Sequence, residues 1–362
     1  MWIGIEHITI SKMSSSPLKI FHIMTAESHG GAETYAADAI LGLTAHKNVQ
    51  QTAFISKNAL CHADLNAAGV KIYDRWSGFR FKPWMRWHLK KAIRAEQPDI
   101  IHCWMRRAAE LVPAELKIPV IGWLGGYYTI AKFKHCSDFI GVTFDIARHI
   151  KESGIAADHA YTVHTFSSVE TDHAAVDRAA LKTLADAPVL LALSRLHAKK
   201  GLDTLLHALV TLPDCYAWLA GDGPLENELK TLAATLGVSD RVRFLGWRTD
   251  RGALLNAANI CVLPSRYEPF GTVMVEAWAA GVPLIAAAVA GPAAYITHEE
   301  NGLLVAPDDA EALSAAIRRV LEDGALRDTL ITKGQETYVQ RFTREGSTNE
   351  LLSVYQRVLR GA

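Results

Sequence analysis

Two glutamates, Glu268 and Glu276, are separated by seven residues in a segment whose pattern predicts a strand, a loop and a helix. The apolar run Ile260–Leu263 predicts a buried strand that ends before Glu268. The predicted helix begins near Thr272, so Glu268 should precede it and Glu276 should lie about one turn inside it, both at the carboxyl edge of the sheet. Two carboxylates there could bind the vicinal hydroxyls of a ribose and the hydroxyls of a sugar. The alternative is that Glu276 is an ordinary surface residue.

The start of the same helix offers backbone groups for an anion or for sugar hydroxyls. The first amides of a helix have no partner within it, and the helix dipole places positive charge there. We expect three of these amides to point outward, those of Phe270, Gly271 and Thr272.

Two cations follow the predicted strand Val189–Ser194, namely Arg195 and Lys200. A guanidinium fork and an ammonium group at the carboxyl end of a strand suit a diphosphate. Solvated loop charge is the alternative, which we favour for Lys199.

Two glycine motifs follow predicted strands and could bring backbone close to a phosphate or a nucleotide. Gly30 and Gly31 open a helix after the first strand, whereas Gly221 and Gly223 form a turn after the strand Tyr216–Ala220. Neither motif has the spacing of a dinucleotide fingerprint or the lysine of a P-loop. A plain tight turn is an equally good interpretation of the first motif, and for the second a structural turn is the interpretation that we favour.

The elements that must position these residues alternate between short apolar runs and amphipathic stretches, the pattern of parallel sheets wrapped by helices. The first set of predicted strands comprises Leu18–Met24, Thr52–Ile55, Ile100–Cys103, Pro119–Trp123 and Phe139–Val142. The second comprises Val189–Ser194, Tyr216–Ala220, Val242–Leu245, Ile260–Leu263 and Pro283–Ala287. The sequence therefore predicts an α/β fold of two doubly wound, Rossmann-like domains, with a ligand cleft between the carboxyl ends of their strands.

We assign residues 1–17 to a flexible lead-in, 18–175 to an N-terminal domain and 176–340 to a C-terminal domain. One long helical stretch, Arg327–Leu359, is expected near the end of the chain. Its last part, residues 341–362, should cross back to the first domain.

The overall composition is that of a soluble globular protein, and the pattern of its cysteines indicates a cytosolic compartment. The chain has 362 residues, 49% of them hydrophobic, and its 38 basic residues equal its 38 acidic ones, which argues against a nucleic-acid partner. No apolar run approaches the length of a membrane-spanning helix, and we interpret the first residues as a lead-in and not a signal peptide. The five scattered cysteines are expected to be reduced thiols, buried in the case of Cys103, Cys215 and Cys261.

The segment 75–91 departs from this neutral background by interleaving basic and aromatic residues. Such a mixture suits the headgroup region of an anionic membrane. The alternative is a helix that packs Trp84 and Trp87 inward. The residues expected to form the membrane-facing surface are Arg75, Trp76, Arg80, Lys82, Trp84, Arg86, Trp87, Lys90 and Lys91.

The chain resembles family 4 of the retaining glycosyltransferases, which have the two-domain GT-B fold. The resemblance is carried by Gly30 to Glu33, Arg195 with Lys200, Gly221 to Pro224, Phe244 to Gly246, and Glu268 through Glu276. It implies that Arg195 and Lys200 neutralise the donor diphosphate, that Glu276 binds the ribose, and that Glu268 and the following amides hold the transferred sugar. It also implies that Trp247 and Arg248 lie along the base and that no metal or other cofactor is needed.

One departure from the family concerns the histidine that many members place after the strand matching Val120–Leu124. Gly125 and Gly126 stand there instead, and their amides could approach the sugar. His102 is a further candidate for a sugar or acceptor contact, with a structural role as the alternative.

The expected activity is transfer of a hexose, with retention, from a UDP-sugar to a saccharide acceptor such as a lipid-linked lipopolysaccharide core. The enzyme is expected in the cytoplasm or at the cytoplasmic face of the inner membrane. A GT-B epimerase, a sugar phosphorylase and a non-catalytic membrane protein are the alternatives.

Overall fold

The computed structural model describes residues 16–25, 31–74, 82–167, 169 and 172–361. Four residues expected in sites, Gly30, Arg75, Trp76 and Arg80, lie outside these ranges, as does nearly all of the expected lead-in 1–17.

The first sheet has seven strands in the order β3-β2-β1-β4-β5-β6-β7. Its strands are β1 Leu18–Ile23, β2 Val49–Phe54, β3 Lys71–Tyr73, β4 Ile100–Trp104, β5 Val120–Leu124, β6 Asp138–Gly141 and β7 Ala160–Thr162. The pairs β1–β2, β1–β4, β2–β3 and β4–β5 are parallel. Strands β4, β5 and β6 are buried throughout, which explains why they read as continuous apolar runs.

Five α-helices accompany these strands in the described part of the chain. They are α1 Gly31–Leu43, α2 His62–Ala67, α3 Lys82–Glu96, α4 Met105–Ala109 and α5 Phe144–Glu152. Helix α5 begins where the hydroxyl of Thr143 accepts a hydrogen bond from the amide of Ile146 at 3.0 Å, a standard N-cap.

The second sheet has six strands in the order β10-β9-β8-β11-β12-β13, all paired in parallel. Its strands are β8 Val189–Leu193, β9 Tyr216–Ala220, β10 Val242–Gly246, β11 Ile260–Leu263, β12 Leu284–Ala287 and β13 Leu303–Val305. The strand order reverses between β8 and β11. At such a switch point the loops leave in opposite directions and open a crevice at the carboxyl edge.

The later helices belong to this second half and to the chain's end. They are α6 Leu202–Val210, α7 Glu226–Thr235, α8 Arg251–Ala257, α9 Thr272–Ala279, α10 Ala290–Tyr295, α11 Ala310–Glu322, α12 Gly324–Arg341 and α13 Arg344–Gly361. Aspartates at positions 309 and 323 cap α11 and α12. The two sheets with flanking helices confirm the predicted α/β class.

The prediction of one long helix over Arg327–Leu359 is wrong, because the helix is interrupted between α12 and α13. Phe342 lies at the break with its side chain fully buried, and the hydroxyl of Thr343 accepts a bond from the amide of Gly346 at 3.1 Å. A buried aromatic ring and a new N-cap thus divide one amphipathic pattern into two helices.

The chain forms two compact units. One comprises Met1–Trp123, Tyr128–Phe139 and Leu352–Ala362, and the other Leu124–Tyr127 and Ile140–Leu351. The domain boundaries proposed from the sequence stay predictions.

The cysteines behave as expected from their positions. All five are free thiols, and Cys103, Cys215 and Cys261 are buried. Burial raises the pKa of each of these three thiols, so they stay protonated. Within the described ranges, no helix combines the length and the apolar character needed to cross a membrane.

Candidate functional site

A cavity of about 100 Å³ opens at the switch point of the second sheet. Its walls come from the ends of β8 and β9, the segment after β10, and the first turns of α8 and α9. The lining residues are Leu193, Ser194, Arg195, Ala220, Gly221, Trp247, Arg248, Arg251, Val273 and Glu276. Five of the residues expected to bind a donor or to act in catalysis line this cavity, namely Arg195, Gly221, Trp247, Arg248 and Glu276.

Glu276 forms the charged floor of the cavity. Its side chain is 1% exposed, on a helix whose neighbouring residues Met274, Val275 and Ala277 are also buried. The interpretation of Glu276 as a surface residue is therefore wrong. One carboxylate oxygen, Oε1, accepts a hydrogen bond from Arg251, and Oε2 has no partner in the described structure.

The protonation of Glu276 reflects two opposing influences. Burial raises the pKa of its carboxyl to about 7, and the Arg251 guanidinium acts to lower it. A buried acid with a pKa near neutrality and an unpartnered oxygen, on a residue that lines a cavity, is the arrangement expected of a ligand-binding group.

Glu268 lies just before α9, as predicted, and pairs with Lys200. The Lys200 Nζ to Glu268 Oε2 distance is 2.5 Å, and both side chains are largely buried. The backbone carbonyl of Lys199 also accepts bonds from the amides of Arg266 and Tyr267 at 2.9 and 3.1 Å. The loops after β8 and β11 are thereby held together, so the ammonium group expected on a diphosphate and the carboxylate expected on a sugar are direct neighbours.

Gly271 positions the start of α9. Its φ of +93° places it in the left-handed region, and an added β-carbon would lie 3.2 Å from both Glu268 Cγ and Leu263 Cδ2. Among the described residues, the amides of Gly271 and Thr272 bond to no backbone acceptor, as expected for a helix start. The ring of Phe270, by contrast, is buried against Tyr295 and Phe342, so only its backbone could serve a ligand.

Two of the three arginines that line the cavity, Arg195 and Arg248, differ in exposure and in partners. Arg195 is exposed, and across the described ranges its side chain makes neither an ion pair nor a hydrogen bond. Arg248 is half-buried and binds Asp250 through Nε at 2.7 Å. Trp247 beside it is 50% exposed, so its indole presents a flat surface at the entrance.

The second glycine motif is built for close backbone packing. A β-carbon on Gly221 would lie 2.0 Å from the carbonyl oxygen of Ser194, and one on Gly223 would lie 2.4 Å from that of Leu196. Gly221 lines the cavity and Gly223 does not. The glycines therefore shape the wall by allowing two loops to touch.

Arg251 is the site residue that the sequence analysis missed. It begins α8, 25 positions before Glu276, and no motif in the sequence connects the two. A signal that could have found it is its position directly after the Trp247-Arg248 segment, at the carboxyl edge of the same sheet.

Comparisons with known proteins show the family to which the chain belongs. Residues 175–337 match the family model described as glycosyl transferases group 1. Over 342 residues the chain is 36% identical to the lipopolysaccharide core biosynthesis glycosyltransferase LpsE of Rhizobium meliloti, covering 93% of this chain and 98% of LpsE. It is 35% identical to LpsD of the same organism, covering 94% and 98%. The chain belongs to the group 1 glycosyltransferases.

Solved structures agree on the fold of this glycosyltransferase, which is GT-B. The Anabaena protein HepE, in complex with UDP-glucose, is 20% identical, with a TM-score of 0.79 over 95% of this chain and 99% of HepE. WaaG, a glycosyltransferase involved in lipopolysaccharide biosynthesis, is 15% identical, with a TM-score of 0.67 over 93% and 98%.

In its first unit the glycosyltransferase buries the candidate residue His102 completely. Its Nδ1 lies 2.7 Å from the Tyr355 hydroxyl, its ring stacks on Trp104, and burial holds its pKa well below the ordinary value. This environment is that of a neutral structural histidine. Gly31 is exposed at the start of α1, while Gly125 is half-buried and Gly126 buried after β5.

The basic and aromatic helix α3 of the glycosyltransferase turns its tryptophans outward. Trp84 is 38% exposed and Trp87 is 59% exposed, and the helix buries Met85 and Leu89 instead. The alternative in which these tryptophans pack inward is therefore wrong. Three of the basic residues have acidic or carbonyl partners: Lys82 and Arg86 on Glu110, and Lys90 on Glu115.

No group of three or more His, Cys, Asp or Glu side chains is arranged to hold a metal ion in the ranges that the structure describes.

Proposed function

We propose that this glycosyltransferase moves a hexose from a UDP-sugar to a lipid-linked saccharide, such as a lipopolysaccharide core, with retention of the anomeric configuration. The observation that carries the donor half of this proposal is Glu276, a buried carboxylate that lines a cavity at the switch point and has one unpartnered oxygen. The names of LpsE and LpsD support the acceptor, and the complex of HepE with UDP-glucose supports the donor.

In this proposal the donor lies along the cavity with its ribose over Glu276. The unpartnered Oε2 accepts a hydrogen bond from a ribose hydroxyl, and Trp247 lies against the base. Among the described residues, the exposed Arg195 has no side-chain partner. It can therefore bind the diphosphate without breaking an ion pair or a hydrogen bond. Charge-assisted bonds of this kind are about twice as strong as neutral ones.

The sugar lies near the Lys200 and Glu268 pair in this proposal. Lys200 faces the leaving phosphate, and Glu268 with the amides of Gly271 and Thr272 binds sugar hydroxyls. As the bond to the anomeric carbon breaks, negative charge grows on the diphosphate, and Arg195 and Lys200 stabilise it without moving far. The leaving phosphate then accepts the proton of the acceptor hydroxyl that attacks on the same face. We expect no metal ion in this step.

The first experiment is a thermal-shift panel with UDP, GDP, ADP and their common sugars, with and without EDTA. We expect stabilisation by UDP and UDP-sugars that persists in EDTA, because binding to the folded state alone raises its stability. Glu276→Gln should remove most of the shift. No shift with any nucleotide would overturn the donor assignment.

Transfer itself is tested with a lipopolysaccharide-core acceptor and the UDP-sugar that gave the largest shift. The anomeric configuration of the product, read by NMR, should match that of the donor. An inverted product would refute retention, and donor turnover without any acceptor would favour an epimerase.

We further propose that α3 contacts an anionic membrane, which would bring the enzyme to a lipid-linked acceptor. Residues 82–135 carry ten lysines and arginines against four acidic residues, whereas the whole chain is neutral. Lys82, Arg106 and Lys132 all lower the pKa of Glu110, so three cations surround one carboxylate. Exposed tryptophans beside surplus positive charge suit the headgroup region.

The basic residues of α3 lie on two faces of the helix. Lys82, Arg86 and Lys90 turn toward acidic neighbours, while Trp84, Trp87 and Lys91 share the outer face at helical spacing. Lys91 lies over the Trp87 ring, with Nζ 5.6 Å from its centroid. This outer face is the one we assign to lipid.

Vesicle flotation tests the membrane surface. The enzyme should float with vesicles containing phosphatidylglycerol at low salt, and Trp84→Ser with Trp87→Ser should reduce the bound fraction several-fold. Val339→Ser is the control, since Val339 is 66% exposed on α12, outside this surface. Equal binding by the double variant and the control would refute the assignment.

A further inference from the structure

Arg251 and Glu276 form an ion pair between two different elements of the second unit. Arg251 is the first residue of α8, and Glu276 lies in the middle of α9. The arginine side chain is 35% exposed and the carboxylate 1% exposed. The pair therefore joins a solvent-accessible cation to a carboxylate that water does not reach in this structure.

The geometry of the pair uses only one oxygen of the carboxylate. Arg251 donates to Oε1, and Oε2 is left without a partner among the described residues. Both side chains line the cavity at the switch point. A carboxylate held at one oxygen has a fixed orientation, and the oxygen that Arg251 does not hold is left to bond with a ligand.

Among the residues that the structure describes, no cation other than Arg251 bonds to Glu276. From β11, the buried thiol of Cys261 faces Glu276, and burial together with this carboxylate raises the pKa of the thiol. Arg195 and Arg248 line the same cavity, but Arg195 is exposed and Arg248 is bound to Asp250. Arg251 is the cation that bonds to Glu276.

We propose that Arg251 is a positioning residue for donor binding, holding the Glu276 carboxylate in the orientation in which Oε2 accepts hydrogen bonds from the ribose hydroxyls. This inference rests on the proposed function, because it takes the donor to be a ribonucleotide. Arg251 itself acts through Glu276. Removing it leaves a buried carboxyl that favours its protonated form, and a protonated carboxyl is a weaker acceptor.

We therefore expect that the enzyme's preference for a nucleotide with ribose hydroxyls, over one without them, depends on pH. Burial raises the pKa of Glu276 to about 7 even with Arg251 in place. The carboxylate form is therefore about tenfold more populated at pH 8 than at pH 6. Without Arg251, the pH at which the carboxylate forms moves upward.

The experiment compares UDP with 2′,3′-dideoxy-UDP, which has the same titratable phosphates but lacks the ribose hydroxyls. Calorimetry gives the ratio of the two Kd values between pH 5.5 and 9. For the native enzyme the preference for UDP should rise up to about tenfold from pH 6 to pH 8. Arg251→Met should lower the preference at pH 7.5 and shift its rise to higher pH.

Three further variants separate positioning from a general loss of structure. Arg251→Lys should restore part of the preference, because a lysine can still pair with Glu276. Glu276→Gln should make the ratio independent of pH. Arg319→Met should behave as the native enzyme, since Arg319 pairs with Glu299 and lies outside the cavity.

The possible results separate this inference from the proposed function. If the native enzyme binds UDP and prefers it over the dideoxy analogue, but Arg251→Met keeps the native ratio at every pH, the role of Arg251 is refuted. An equal loss of affinity for both nucleotides would also refute it, because the effect would not pass through the ribose. Failure of the native enzyme to bind either nucleotide would overturn the proposed donor and this inference with it.

Discussion

Replacing Gly221 by alanine should destabilise the second unit and disturb the donor cavity together. The new β-carbon would lie 2.0 Å from the carbonyl oxygen of Ser194 and 2.8 Å from its carbonyl carbon. An ordinary contact between such atoms is about 3.5 Å, so a gap of about 1.5 Å must open between two backbone segments. The φ of Gly221 is +149°, in a region that residues with a β-carbon rarely adopt.

The cost follows from these two penalties. Overpacking costs about 1–3 kcal/mol and backbone strain a similar amount, which gives roughly 4 kcal/mol for Gly221→Ala. In a unit of this size that corresponds to a fall in Tm of about 8–16 °C. Since Arg195 follows Ser194 directly, the same movement should weaken UDP binding.

A matched control isolates the packing penalty. Gly237 also has a positive φ, +68°, but a β-carbon there would meet no described atom within 4 Å. Gly237→Ala should therefore cost only about 1–2 kcal/mol and leave UDP affinity unchanged. Calorimetric melting and UDP titration of both variants check this. If Gly221→Ala melted within 2 °C of Gly237→Ala, the reasoning from close backbone packing would be refuted.

Two other predictions concern His22 and the Lys200 and Glu268 pair. Burial lowers the pKa of His22 to about 4 from 6.5, so the unfolded chain binds more protons between these values. Stability should fall by up to about 3 kcal/mol as the pH drops from 6.5 to 4, and His22→Gln should flatten this dependence in urea unfolding. Lys200→Met should lower kcat about 100-fold while changing the Kd for UDP far less. A kcat within twofold of the native value would count against Lys200.

Most strands of the two sheets could be predicted because they have a distinct sequence pattern. Strands such as Val189–Leu193 are buried on both faces and so read as unbroken apolar runs. The short strands β3 and β13 were not predicted, because three residues at a sheet edge give no distinct pattern. The break at Phe342 was missed for a different reason: an aromatic residue fits the apolar face of a helix equally well.

The motif residues of the candidate site could be predicted from the sequence, but the ion pairs between them could not. Glu268, Glu276, Arg195 and Lys200 could be assigned from their places after strands. Their contacts could not be predicted. The sequence assigned Lys200 to a diphosphate and Glu268 to a sugar, and the structure pairs the two side chains with each other. Whether the motif residues play the roles we propose stays a prediction for the nucleotide-binding experiments.

The sequence by itself determined the strand and helix alternation, the location of the E-x7-E segment after a buried strand, and the exclusion of a P-loop or dinucleotide fingerprint. These are local properties, set by hydrophobic periodicity and by residue types next to strand ends. Only the tertiary structure decided that Arg251 meets Glu276, that Lys200 meets Glu268, and that Trp84 and Trp87 face outward. Such contacts depend on which elements become neighbours when the sheet assembles. The paired residues are 25 and 68 positions apart, so no local sequence pattern predicts that they meet.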